Sequence, residues 1–246
     1  MNTQAAYRLY CGTSGWNYND WRGRFYPENL PQSEWLEYYS RVFDTVEINN
    51  SFYRLPEIST FEKWRFQTPD NFTFAVKASR YLTHIKRLKD PEEPLERLLA
   101  HSSGLADKRG PVLYQFPPNW RMNLERLEAF LKILPRDVRH VFEFRDDSWH
   151  NDEVWSMLSR YSAAYCVMDA PGLPQHMKIT ADFAYIRMHS GGEATHSNYT
   201  RGHLTSCAHH IEDFLARGDT YIYFNNDYNA YAVENALSLR KMLSVA

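Results

Sequence analysis

The residues of this sequence that could do chemistry stand at the ends of short apolar runs, a few to each run. Glu47 and Asn49 alternate with Val46 and Ile48, Lys77 follows Val76, Gln115 follows Leu113 and Tyr114, and Glu143 and Arg145 flank Phe144. Asp169 closes the run 164–168, Arg187 and His189 flank Met188, Asn225 and Asn226 follow Phe224, and Ser14 and Trp16 follow the run 8–13. A polar group buried without a partner is costly, so polar residues repeated at the ends of apolar runs point to one shared, wet site. Glu47 and Glu143 are the candidates for proton transfer, because paired carboxylates suit acid–base work and glycoside hydrolysis. Lys77 sits among other cations, which lowers a lysine's pKa and lets it act as base or nucleophile. Arg145 and Arg187 offer planar forks for phosphate or carboxylate, with His189 beside them. Ser14, Asn49, Gln115, Asp169, Asn225 and Asn226 would orient a substrate, and Trp16 and Tyr53 would present ring faces to it.

Positioning such residues requires a set of strands that end at one face. Period-two apolar patterns predict strands at 8–13, 45–52, 72–78, 111–116, 140–144, 164–168, 183–188 and 220–224. Between them, helical spacing predicts helices at 34–42, 60–67, 95–105, 124–134, 152–161, from Thr205 or Ser206 to Gly218, and at 231–245. Residues 170–181 hold two prolines and read as an irregular connection, and Gly191 and Gly192 open a polar loop that reaches about Leu204. Strands separated by helices imply a parallel sheet, and eight such units in 246 residues imply a single α/β domain with the closed (β/α)8 TIM-like barrel. A doubly wound sheet is the rival, but Gly12 and Gly15 lack the G-x-G-x-x-G spacing and no helix follows them directly.

Composition excludes several classes. A net charge of −2 gives no global field for nucleic acid or an anionic membrane. Cys11, Cys166 and Cys207 form no C-x-x-C pair and suggest neither a disulfide framework nor a zinc ribbon. There is no signal-peptide pattern at the start and no apolar run near 18 residues, so a cytoplasmic protein with no membrane association is expected. No G-x-S-x-G occurs, which leaves serine-hydrolase chemistry unsupported.

The same residues admit other readings. The charges could pair among themselves as a ring of salt bridges. Glu47, Glu143, Asp169 and His189 could serve as hard ligands for a metal, but three cations on the same face oppose it, no H-x-H or H-E-x-x-H occurs, and no cofactor is expected. The basic run Arg80, His84, Lys86, Arg87 and Lys89 is either a solvated surface or, with Trp16, Tyr18, Trp21, Tyr53, Trp120 and Trp149, a track for a nucleic-acid backbone. Nucleic acid is therefore a secondary partner. Residues 225–227 could equally be an Asx-rich turn capping the last helix.

Several runs resemble the YecE-like family, also called domain of unknown function 72. They are Cys11-Gly-Thr-Ser-Gly-Trp16, the stretch 43–53 through Glu47 and Asn49, the stretch 111–118 through Gln115, the stretch 141–149 through Glu143 and Arg145, and 223–227. Taken in order they cover nearly the whole chain. One departure is Ser190 after His189, where such proteins usually place glycine. The resemblance implies a TIM barrel and supplies no activity. The function expected from the residues is acid–base or hydrolytic chemistry on a small anionic, ring-bearing substrate such as a sugar phosphate or nucleotide. The alternatives are a metal-dependent phosphodiesterase or nucleic-acid end-processing enzyme, and a non-catalytic module that binds an anion or nucleic acid.

Overall fold

Each predicted apolar run forms a strand in the computed structural model, which describes residues 7–172, 175–190 and 197–243. The strands are β1 (Leu9–Thr13), β2 (Thr45–Ile48), β3 (Thr73–Lys77), β4 (Arg109–Gln115), β5 (His140–Glu143), β6 (Ala164–Asp169), β7 (Phe183–Met188) and β8 (Asp219–Phe224). All pair in parallel, in the order β1-β8-β7-β6-β5-β4-β3-β2. The circle closes where β1 meets β2. Ser14 bridges to Glu47 there, with the Gly15 N–H donating to the Glu47 carbonyl at 2.8 Å. Lower in the seam the hydroxyl of Tyr39 replaces ladder bonds: it accepts from the Thr13 N–H at 3.0 Å and lies 3.1 Å from the Thr45 carbonyl. Gly12 is required at this closure, because a Cβ would stand 2.4 Å from the Thr45 carbonyl oxygen.

Side chains alternate between the barrel interior and the helix layer, as a strand's period of two dictates. On β7, Phe183 and Tyr185 join the interior cluster while Ala184, Ile186 and Met188 join the outer core. On β6, Cys166 and Met168 face in and Val167 faces out. The outer core packs under α1 (Trp35–Ser40), α2 (Asn50–Tyr53), α3 (Ile58–Phe66), α4 (Glu92–Ser102), α5 (Leu124–Ile133), α6 (Asp152–Arg160), α7 (Arg201–Leu215) and α8 (Tyr231–Leu243). Among the described residues no helix joins β6 to β7, as the prolines at 171 and 174 imply. No helix among them is long and apolar enough to cross a membrane. The three cysteines are free and buried.

Two expected boundaries move. The second strand stops at Ile48 rather than running to 52, because the Ser51 hydroxyl donates to the Lys77 carbonyl at 2.6 Å and turns the chain into α2. Helix α7 begins at Arg201, four residues before Thr205, because Thr200 caps it by accepting the His203 N–H. The loop opened by Gly191 and Gly192 falls on 191–196, outside the described residues, as does the end of the last helix beyond 243.

Candidate functional site

Where the strands end, the barrel interior turns from apolar to charged. Arg187, on β7, reaches across the lumen. Its Nη2 donates to Glu47 on β2 at 2.8 Å, and its Nη1 donates to Glu143 on β5 at 2.6 Å. Every remaining carboxylate oxygen position is also engaged. Glu47 accepts from the Ser14 hydroxyl at 2.7 Å and the Tyr185 hydroxyl at 2.6 Å, and Glu143 accepts from Gln115 Nε2 at 2.8 Å and from Arg145 Nε. Both glutamates are fully buried, and Arg187 is 1% exposed. Burial alone would raise the Glu143 carboxyl, but Arg145 and Arg187 hold it well below the usual carboxylate range. This brace forms the floor of a cavity of about 680 Å³, which neither glutamate lines.

The cavity walls are Tyr18, Asn49, Tyr53, Lys77, His84, Gln115, Pro118, Arg145, Arg187, His189 and Asn225. Lys77 differs from the other cations. Among the described residues its ammonium has no carboxylate within ion-pair distance and makes no hydrogen bond. It sits instead 4.4 Å from the centre of the Phe52 ring, and His84 packs edge-on against the same ring. Burial, and then the charge of Arg187, push Lys77 down to about 8, against the opposing pull of Glu143 and Glu47. The residue that α2 turns inward, Phe52, is thus the apolar surface on which this amine rests.

His189 is held as one tautomer. Arg145 Nη2, which can only donate, lies 2.7 Å from Nε2, so Nε2 accepts and Nδ1 carries the proton. The Asn225 amide nitrogen is placed 3.0 Å from Nδ1, and a proton on Nδ1 requires that amide to be turned over so that its oxygen accepts there. Burial and the Arg187 charge keep His189 well below its usual range, so the ring is neutral. Arg145 spends Nε on Glu143 and Nη2 on His189, and among the described residues its Nη1 has no hydrogen bond and remains for a ligand. Asn49 Oδ1 at the wall is buried with no partner among the described residues. Three cations against two carboxylates leave one positive charge beside the cavity.

Of the residues singled out in the sequence, Asn49, Tyr53, Lys77, Gln115, Arg145, Arg187, His189 and Asn225 line this cavity, and Ser14, Glu47 and Glu143 lie just beneath it. Trp16 stands in a neighbouring groove with Tyr18, Asn49 and Tyr53, its ring edge-on to Trp64. Asp169 and Asn226 are turned to the helix layer. Asp169 pairs with His203 of α7 at 2.9 Å, and Asn226 donates to Asn235 of α8 at 2.9 Å. The four side chains expected to ring a metal therefore do not converge: the two glutamates are taken by arginine and Asp169 faces away. Trp21, Trp120 and Trp149, expected to present ring faces along a nucleic-acid track, are buried instead. Tyr18 and His84, named in the sequence as parts of a possible nucleic-acid track, also line the wall, and Pro118 is an additional wall residue. His84 comes from a single π-helical turn, Tyr81–Ile85, and strand periodicity carries no signal for it.

Comparison with known proteins agrees with this architecture. Residues 10–246 match the family described as "Protein of unknown function DUF72". The UPF0759 protein YunF of Bacillus subtilis is 25% identical, over 96% of this chain and 95% of its own length. The UPF0759 protein YecE of Escherichia coli K12 is 32% identical over 45% of this chain and 41% of its own. The crystal structure of a DUF72 family protein from Thermotoga maritima superposes with a TM-score of 0.87 at 32% identity, covering 96% of this chain and 99% of that one.

Proposed function

The chain belongs to the DUF72 family, for which no activity is established, and we propose from its site that it is an enzyme performing acid–base chemistry on a small anionic, ring-bearing substrate, of the class of a sugar phosphate or nucleotide. The observation that carries this reading is the Lys77 amine at the cavity wall, without an ion-pair partner among the described residues and beside carboxylates already committed to arginine. Lys77, with a pKa of about 8, exchanges a proton near neutral pH, and it takes over the role that the sequence suggested for Glu47 and Glu143. The free Nη1 of Arg145 receives the anionic group, and Gln115 and Asn49 orient the remainder. Tyr18, Tyr53 and His84 supply ring faces at the wall. The glutamates act through Arg187, holding the floor rigid and charged.

The test incubates the protein with sugar phosphates and nucleoside monophosphates, reading binding by thermal shift and conversion by NMR. At least one should bind and be converted, at a rate that rises with pH through about 8. Lys77→Met should lower that rate about 100-fold or more, and Arg145→Gln should weaken binding. Binding that survives Lys77→Met, with no conversion of any compound by the parent protein, would instead make the chain a non-catalytic anion-binding module.

A further inference from the structure

A second cluster lies outside the barrel wall, on the opposite side of β6 from the cavity. Because Met168 points into the barrel, Asp169 must point out, toward α7. Thr200 starts that helix early enough to place His203 and Cys207 one turn apart on a shared face. The His203 Nε2 and Asp169 Oδ2 atoms are 2.9 Å apart, and the donor atoms of Asp169, His203 and Cys207 all lie within 4.8 Å of one another. Among the described residues Asp169 Oδ2 is buried and accepts no well-aligned hydrogen bond, and its only close contact is the ion-pair approach of His203. Cys207 is 7% exposed, whereas the His203 side chain is 35% exposed, so the cluster has one side open to solvent.

We propose that Asp169, His203 and Cys207 form a site for a divalent cation of the zinc type, unrelated to the cavity chemistry. Thiolate, imidazole and carboxylate are the donor types this ion takes, and three protein ligands leave a fourth position for water. Ligand atoms around a tetrahedral zinc ion sit roughly 3.2–3.8 Å apart, so the cluster accepts it with small side-chain adjustments. The Cys207 proton leaves to solvent as the sulfur–metal bond forms. The surroundings supply the support such ligands need. The Tyr199 hydroxyl, close enough to lower the Asp169 carboxyl, is itself fixed by accepting the Ser190 N–H at 3.1 Å. The ion would tie α7 to the end of β6. Its Asp169 carbonyl also accepts the His189 N–H at 2.8 Å, so the tie would extend to the peptide that carries a wall residue of the cavity.

The test strips the protein with a chelator and titrates it with Co²⁺ alone, then with Zn²⁺. Stoichiometric uptake is expected, with a thiolate-to-cobalt charge-transfer band, visible bands of tetrahedral intensity, displacement by Zn²⁺ and a rise in Tm. Cys207→Ser should remove the charge-transfer band, and His203→Gln should weaken binding about tenfold or more. His203→Gln alters a part-exposed ring and serves if the buried Cys207→Ser variant does not fold. Cobalt uptake without the thiolate band, or uptake unchanged in His203→Gln, would overturn the site and assign the metal to surface histidines such as His209. Absence of uptake by the parent protein would overturn it as well.

Discussion

At the N-terminal end of the barrel, Arg8 pairs with Asp44 at 3.1 Å and Arg139 with Asp219 at 2.9 Å, while the rings of Tyr10 and Tyr221 stack 4.4 Å apart beside them. At the C-terminal end, Arg187 and Arg145 hold Glu47 and Glu143, and Lys77 is left over. Both ends carry arginine, carboxylate and tyrosine, but they use them differently. The N-terminal pairs are part-exposed and matched one to one, which suits a cap on an apolar core. The C-terminal network is buried and carries one uncompensated cation against a cavity. Burying charge in this way opposes stability, and the contrast is the physical ground for proposing function at the end that is less well satisfied.

The largest effect should come from cutting the brace. Arg187→Met leaves two carboxylates buried without their shared cation, a change that costs about 3–5 kcal/mol in comparable sites. Denaturant unfolding at pH 7 should show a loss of that size. A loss below about 1 kcal/mol would mean that water or a rearranged Lys77 can replace the guanidinium, and the distinction between the two ends would weaken.

The second effect has the opposite sign. Lys77 falls from 10.5 to about 8 on folding, so its charged form is disfavoured in the native state. For a base with a lowered pKa, the penalty is fully present below pH 8 and disappears as pH rises from 8 towards 10.5. Lys77→Met should therefore stabilise the protein at pH 6 by roughly 1–3 kcal/mol, and the advantage should vanish by about pH 10.5. Together with lost conversion, that pattern marks a residue retained for chemistry at the expense of stability. If Lys77→Met destabilises at pH 6, the lysine is part of the brace and not its unused cation.

Much of this was legible in the sequence, and one further step would have extended it. The strand runs and the helix-free stretch before β7 follow directly from alternation and from proline. The facing of the terminal residues follows from parity within each strand. Val141 faces the interior, so Glu143 and Arg145 follow it inward, and Tyr223 carries Asn225 in and Asn226 out. Met168 likewise sends Asp169 outward. Proximity to a strand end was not enough to place a residue in the site, because adjacent residues face opposite sides. What alternation could not give is the pairing scheme: nothing in spacing says that Arg187 would take both glutamates and leave Lys77 free. Nor could it place Phe52, which meets the Lys77 amine from α2, or His84, which reaches the cavity from a π-helical turn, since neither comes from a strand.

The smallest effect belongs to the N-terminal end, and it completes the comparison. Arg139 contacts Asp219 and the Tyr221 hydroxyl, at 2.9 and 2.7 Å, with its side chain 37% exposed. Water can solvate whatever is left when one partner is removed, so Arg139→Gln should cost only about 0–1 kcal/mol. The loss should shrink further at high salt, because exposed charges are screened. The buried brace at the other end should respond little to salt. Measuring Arg139→Gln and Arg187→Met by denaturant unfolding at low and high ionic strength separates the two cases. Equal salt sensitivity would mean that solvent reaches Glu47 and Glu143, and it would return those carboxylates to contention for proton transfer at the cavity.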